Sequence, residues 1–438
     1  MTERHLVHLG LGNFHRAHQC WWTGAVAEPG DSQQWSVTAF TGRRPDAADV
    51  LRAQGFRYTL VERDRDGDRY TLVTAMAAAH DGADLAALRA AMADPATGVV
   101  TLTVTEAGHH LRADGTLDLD SPAVAADRAA LAGPDGTARP ATAPGRLLLG
   151  LRARRRADAG PLAVVPCDNL AGNGQALRGA LLALAGSLPS PDGVRLAEWI
   201  DASVSFVDTC VDRITPRTAA ADLAAVRAAT GFADRAPVVT EPFHDWVLAG
   251  AFPAGRPAWE REGARFVAAV APWERRKLWL LNGAHSLLAY TGIAAGHTTV
   301  AQAVADPDLA ELTRRWWDEV EPLLGGAAGD VTGYRRDLLA RFANPAIDHR
   351  LAQIAEDGLH KLRLRVVEPA LLRRRAGLAA DAAARIVAAW IDVTSTGPAA
   401  HAAPPRAARD TAGHVAALAP ALADDRDFVA AVRHHRHR

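Results

Sequence analysis

The stretch Pro272-Trp-Glu-Arg-Arg-Lys-Leu-Trp-Leu-Leu-Asn-Gly-Ala-His285 has the residue types and spacing of a proton-transfer site. On a helix turning about 100° per residue, Glu274, Lys277, Asn282 and His285 share one arc of roughly 140°. Leu278, Leu280, Leu281, Leu287 and Leu288 surround them, so the helix is expected to be buried. Burying Lys, Asn and His together costs several kcal/mol unless each is satisfied. In the functional reading, Lys277 is a general base of lowered pKa, and Asn282 and His285 hold a reacting oxygen. Glu274, one turn earlier, would pass the proton toward solvent. The other reading is a set of mutually partnered structural polar groups.

Composition sharpens the interest in that lysine. Of 49 basic residues, only Lys277 and Lys361 are lysines, and the rest are arginines. Arginine stays protonated at any working pH, whereas a buried lysine can lose its proton. Lys361 lies in Asp357-Gly-Leu-His-Lys361, near a helix end. A C-capping charge would explain it, but arginine would serve equally well there.

Two further clusters fall at predicted strand ends, where α/β proteins place ligands. Cys167-Asp-Asn-Leu-Ala-Gly-Asn-Gly174 offers Asn169 as a donor to an oxyanion, with an Asx-rich turn as the alternative. Val211-Asp-Arg-Ile-Thr-Pro216 offers Asp212 beside Arg213, with a surface ion pair as the alternative. At the N-terminus, His8-Leu-Gly-Leu-Gly-Asn-Phe-His15 places Gly10 and Gly12 between a predicted strand and a predicted helix. That is the setting of a pyrophosphate-binding turn, with Asn13 and Phe14 opening the helix. The third glycine of G-x-G-x-x-G is replaced by His15. After the second strand, where an acidic residue would read the ribose of NAD, the sequence has Arg43-Arg44. NAD is the expected cofactor; Arg43 and Arg44 open the alternative of NADP. Glu106, closing the strand-like run 99–106, joins the expected cofactor-side residues.

These residues need a scaffold, and the pattern supplies one. Buried strand-like runs at 5–11, 35–41, 99–106 and 161–169 alternate with helical stretches, which predicts an α/β domain with a parallel sheet. Residues 57–62 and 69–75 read as a hairpin around Asp66-Gly67-Asp68. Runs at 204–216 and 237–246 add strand-like pieces. Beyond about residue 270 nearly everything reads as helix, including 273–291 and 299–325. The expected division is 1–268, α/β, and 269–438, mostly α-helical. The arginine clusters 154–156 and 373–375 read as solvated helix faces.

The 438-residue chain, 49% hydrophobic with formal net charge −1, excludes several classes. Near-zero charge argues against nucleic-acid binding. Three cysteines cannot form a disulfide framework or a four-cysteine zinc site. No apolar run reaches the roughly 18 residues of a membrane span. The start MTERHLVHLGLG lacks the regions of a signal peptide, so a cytoplasmic location is expected. A short-chain dehydrogenase would need Tyr four residues before a lysine, and those positions hold Trp273 and Asp357.

Together the motifs resemble the long-chain polyol-specific dehydrogenases, the family of mannitol 2-dehydrogenase and fructuronate reductase (mannonate oxidoreductase). The likeness runs from HLGLGNFHRAHQ through LTVTEAG, CDNLAGNG, VDRITP, EPFHDWVL, GRPAWEREGARFV, KLWLLNGAH and RFANP to DGLHK. Lys-x₄-Asn-x₂-His at 277, 282 and 285 is similar to the family's catalytic signature. The resemblance implies a Rossmann-type domain, a helical C-terminal domain, an active site between them and no metal. It implies that Lys277 takes the proton of the substrate C2 hydroxyl while C2 passes hydride to the nicotinamide. Asn169 and Asn282 would polarise the oxygen, while His285, Asp212 and Lys361 would orient the rest of a sugar acid or sugar alcohol. Glu274 would link the lysine with solvent. The mannitol dehydrogenase pattern carries an arginine eight residues before the second lysine, where this chain has Gln353. His349-Arg350, and His285-Ser-Leu-Leu-Ala-Tyr290, look more like the fructuronate reductase branch, with Arg350 suited to a uronate carboxylate. Mannitol or arabinitol 2-dehydrogenase is the second expectation, and a non-catalytic dinucleotide-binding regulator is the reading from another class. A monomer is expected.

Overall fold

The computed structural model describes residues 2–28, 33–133, 138–189, 191–396 and 410–436. The chain divides into two units, Met1–Ala271 and Pro272–Arg438.

The first unit is built on a six-stranded parallel sheet. Its strands are β1 (Thr2–Leu9), β2 (Gln33–Phe40), β3 (Met76–His80), β4 (Thr97–Leu102), β5 (Leu162–Pro166) and β6 (Val204–Phe206). They lie in the order β3-β2-β1-β4-β5-β6, so the chain reverses direction across the sheet between β1 and β4. Successive strand residues feed opposite cores. Val7, Val100 and Val164 enter one apolar cluster; their neighbours Leu6, Val99 and Val165 enter another. Both faces are therefore covered, which is why β4 and β5 are buried at every position. The α/β pattern read from the sequence is the fold observed.

Three local differences have physical causes. β4 stops at Leu102, short of Glu106, because Glu106–His109 winds into a 3₁₀ turn. The hairpin pairs Tyr58–Asp64 with Gly67–Val73 in a register that ends Asp64↔Gly67, so the turn is Arg65-Asp66. The run 204–216 splits: β6 joins the main sheet, while Asp208–Asp212 pairs antiparallel with Asp245–Ala249 in a separate three-stranded sheet.

Arg154 corrects the reading of its cluster as a solvated face. It is completely buried, and its guanidinium donates to the carbonyls of Met92, Asp94, Ala159, Gly160 and Pro161 at 2.7–3.2 Å. Its neighbour Arg156 is exposed, as read.

The second unit is helical. Ala271–Arg276, Lys277–Asn282 and Gly283–Ala294 run on as one rod, and every residue from Gly283 to Gly292 is buried. The stretch 299–325 is two helices, Val300–Ala305 and Pro307–Leu324. Asp306 breaks it by capping the amides of Asp308 (2.9 Å) and Leu309 (3.4 Å), with Pro307 opening the next helix.

Candidate functional site

In the first unit, β1 ends in the turn Gly10-Leu11-Gly12. The amides of Gly10 and Leu11 both donate to Phe40 O at 2.9 Å, which ties the turn to the end of β2. Gly10 has φ +105°, and a Cβ there would stand 2.2 Å from the Thr103 carbonyl oxygen, so only glycine fits. At Gly12, by contrast, a Cβ would meet nothing nearer than Gly10 O at 3.6 Å. Glycine there leaves space rather than relieving a clash, and Gly12 caps the helical run beginning Asn13–His15. Open space at a helix start fits the pyrophosphate of a dinucleotide.

His15 fills the third glycine's place by stacking flat on His8 of β1, with ring centroids 3.4 Å apart. Two parallel imidazoles provide the close helix–strand approach that glycine otherwise gives. The His8 ring also bonds Thr101 Oγ1 (2.8 Å) and Thr103 Oγ1 (3.1 Å), and Thr103 Oγ1 donates to Gly10 O (2.8 Å). Burial lowers the His8 pKa to about 3; burial and then the neighbouring His8 push His15 well below the usual range. Asn13 Oδ1 accepts from Arg16 Nη2 at 2.8 Å, and Phe14 stacks on His18 at 5.0 Å.

The carboxyl ends of β1, β2 and β4 border a cavity of about 370 Å³, whose lining includes Gly10, Thr41, Arg43, Thr103 and Arg146. Arg44 is turned away into an exposed pair with Asp46 (3.3 Å), and Glu106 is exposed at the start of its 3₁₀ turn. Beyond β5, Asn169 is exposed, whereas Asn173 is buried and structural, bonding Thr209 through both its amide atoms. Asp212 is buried at the end of its strand. Arg213 is buried too. It pairs with Glu62 (2.9 Å), donates to Ala17 O (2.6 Å) and lies over the Trp21 ring (4.4 Å).

In the second unit, Lys277–Asn282 is a π-helical turn. Its i→i+5 pattern brings Lys277 and Asn282, five apart, closer to one line than a regular helix does. A π turn has backbone carbonyls out of step with the regular ladder. Two are taken up by tryptophans: Trp316 Nε1 donates to Trp279 O (2.8 Å) and Trp317 Nε1 to Leu280 O (2.9 Å). Gly283 permits the approach, since a Cβ there would meet the Trp316 ring at 2.8 Å. His285 comes next, buried against Phe342 and edge-on to His349 at 4.7 Å, with Nε2 unpartnered. Burial, then the neighbouring His349 and the cations Arg365, Arg341 and Lys277, hold its pKa well below the ordinary value, so its ring is neutral. Glu274, Lys277 and Asn282 are half-buried.

Lys361 belongs to Gly358–Leu362, and its Nζ donates to Ile354 O at 3.2 Å. Asp357 turns the chain with φ +55°, and Gly358 lies so close to Tyr290 that a Cβ would stand 2.2 Å from its hydroxyl. A second π segment, Arg363–Val367, packs against Lys277–Asn282 and brings the two lysine-bearing stretches together. Arg350 is exposed and bonded to Asp348 at 2.8 Å, next to His349, whose ring lies edge-on to His285.

The chain matches the mannitol dehydrogenase Rossmann domain over residues 4–261 and the mannitol dehydrogenase C-terminal domain over residues 269–407. The chain belongs to the mannitol dehydrogenase family. It is 36% identical to D-mannonate oxidoreductase of Escherichia coli (strain K12) over 90% of this chain and 80% of that protein. It is 35% identical to the polyol:NADP oxidoreductase of Gluconobacter oxydans (strain 621H) over 82% of this chain and 73% of that protein. Among solved structures, the Pseudomonas fluorescens mannitol 2-dehydrogenase complex with NAD and D-mannitol superposes with TM-score 0.82 at 32% identity. That alignment covers 100% of this chain and 92% of that one. As a member of this family the chain is an oxidoreductase. Among the described residues, no helix is long and apolar enough to cross a membrane, and no group of three or more His, Cys, Asp or Glu is placed to hold a metal ion.

Sequence reasoning missed Arg146, Glu62, Trp316, Trp317 and the buried His109–Asp168 pair (2.6 Å), which joins the loops after β4 and β5. The adjacent Trp-Trp in an amphipathic helix was the one available signal.

Proposed function

We propose that the chain is an NAD(P)-dependent oxidoreductase that interconverts a 2-keto-uronate or 2-ketose with the corresponding aldonate or polyol. The observation that carries this reading is the π turn that aligns Lys277 with Asn282 one turn before His285, in a family whose named members act on such compounds. The Gly10–Gly12 turn would hold the dinucleotide, which when bound supplies the hydride acceptor or donor.

In the oxidative direction, Lys277 in its amine form accepts the proton of the C2 hydroxyl. The side-chain amides of Asn282 and Asn169 donate hydrogen bonds to the oxygen as it gains negative charge. His285, neutral, orients a neighbouring hydroxyl by hydrogen bonding rather than by charge. Asp212 and Lys361 fix the remaining polar groups. Glu274 relays the proton from Lys277 toward solvent. A substrate carboxylate at Arg350 must displace Asp348. In the reductive direction each proton transfer runs backward, and Lys277 in its ammonium form protonates the ketone oxygen.

The test is a steady-state panel of fructuronate, tagaturonate, fructose, mannonate, mannitol and arabinitol, each run with both nicotinamide cofactors. Turnover of a keto-uronate with D-mannonate-type product is the expected result. Absence of turnover across the whole panel with both cofactors sinks the reading.

A further inference from the structure

The cavity at the ends of β1, β2 and β4 has a charge pattern that the glycine turn does not explain. Its lining contains two arginines, Arg43 and Arg146, and no carboxylate. Thr41-Gly42-Arg43-Arg44, with no acid among them, follows β2 where an acidic residue would receive the two ribose hydroxyls of NAD. Nearby acids are engaged. Asp46 pairs with Arg44, and the Asp81 carboxylate accepts from the Thr41 hydroxyl (3.5 Å) and the Ala83 amide (3.0 Å).

Arg146 comes from a distant part of the sequence and is held rigidly. It lies in the first turn of Ala143–Arg156, whose cap Thr142 accepts from the Gly145 amide (3.0 Å) and is itself fixed by Asp127 (2.5 Å). Its Nη1 donates to Gly42 O (2.8 Å) and reaches Thr41 O (3.5 Å), which locks the guanidinium against the turn after β2. Its Nε is buried and has no hydrogen-bond partner. What points to an anion is the lining itself, since two guanidinium groups with no carboxylate beside them leave a positive field that an anionic oxygen complements. Beside it, a Cβ on Gly42 would meet nothing within 4 Å, so the turn leaves room. Arg43, on the same turn, is exposed and supplies a second cation.

We propose that Arg43 and Arg146 form a seat for the 2′-phosphate of NADP(H), and that the chain binds NADP(H) in preference to NAD(H). The proposal rests on the reading of the Gly10–Gly12 turn as a dinucleotide site. It moves the role suggested for Arg44 to Arg146, a residue about a hundred positions further along the chain.

The test is calorimetric titration of the full chain with 2′,5′-ADP and with 5′-AMP, which needs neither nicotinamide nor sugar. The expected result is tighter binding of 2′,5′-ADP by about tenfold or more, with a ratio that shrinks as salt is raised. Arg146→Met and Arg43→Ala should each reduce that ratio by several-fold while 5′-AMP binding changes little. Arg43 is exposed, so its variant keeps the test alive if Arg146→Met fails to fold. Equal affinity for the two ligands in the parent chain overturns the proposal, as does an unchanged ratio in Arg43→Ala. Loss of sugar turnover alone bears on the reaction and leaves this ratio untouched. Failure of both adenosine ligands to bind removes the dinucleotide reading itself.

Discussion

His8 and His15 lie face to face, 10° from parallel and 3.4 Å between centroids, with both rings buried. Neither can take a proton without placing a charge in the core beneath the glycine turn. The folded pKa of His8 is depressed to about 3 by burial, while the unfolded chain titrates near 6.5. Stability from this group is therefore complete above pH 6.5 and is lost as pH falls toward 3, because the unfolded state binds the proton first. Between pH 7.5 and pH 5 the loss from one such histidine is about 2 kcal/mol. His15 shifts in the same direction and adds to it. Thermal denaturation should show a Tm that drops steeply below pH 6.5, and His15→Phe, which keeps a flat ring on His8, should flatten that slope. An identical slope in the variant would refute the assignment.

Gly10→Ala should abolish dinucleotide binding and lower stability. The new Cβ meets the Thr103 carbonyl at 2.2 Å, and φ +105° is strained for any L side chain. The backbone conformation and the clash together should cost at least about 2 kcal/mol. Gly12→Ala offers the contrast: its Cβ has room in the protein, so Tm should hold while binding weakens. Denaturant melts and fluorescence titration with reduced cofactor separate the two.

Lys277→Ala should lower kcat about 10²–10⁴-fold at neutral pH, the usual worth of a positioned proton-transfer group. Cofactor affinity should stay within a factor of two or so, since the proposed dinucleotide seat is the Gly10–Gly12 turn and the lysine is assigned to proton transfer. Near-normal turnover would remove Lys277 as the base.

The tryptophan bonds to the π turn allow a positioning effect to be told from a purely structural one. Trp317→Phe removes the donor to Leu280 O and keeps most of the ring. It should cost about 1 kcal/mol in stability. It should also change the pH dependence of kcat by loosening Lys277, which lost packing alone would not do. A shifted Tm with an unshifted pH–rate profile would limit Trp317 to stability.

Arg154→Lys should destabilise the first unit by about 3 kcal/mol, because an ammonium cannot serve carbonyls spread around a planar fork. Circular-dichroism melts measure it directly.

The inner strands β4 and β5 were readable because each is a buried run rich in β-branched residues, whereas the edge strand β3, Met76-Ala-Ala-Ala-His80, has no β-branched residue and was not read as a strand. The Lys277, Asn282 and His285 set was readable because polar side chains enclosed by leucines are costly to bury and stand out against them. Other features depend on contacts far apart in sequence. Arg154 looks like one of three surface arginines until the carbonyls of residues 92 and 159–161 converge on it. Arg146 has no local motif at all and gains meaning only beside Gly42. Asp306 shows the opposite case: the cap and Pro307 were visible in the sequence, yet the helical pattern on either side hid the break.

Three π segments, Arg16–Cys20, Lys277–Asn282 and Arg363–Val367, adjoin the glycine turn and the two lysines. Each is a helix carrying one residue more than a regular turn needs. Deleting a single residue within one would let it relax to an ordinary α-helix with the flanking residues kept on their faces, sparing the fold while removing the widened turn. Natural length variation of one residue at these three places would therefore mark chains that have kept the architecture and given up the chemistry.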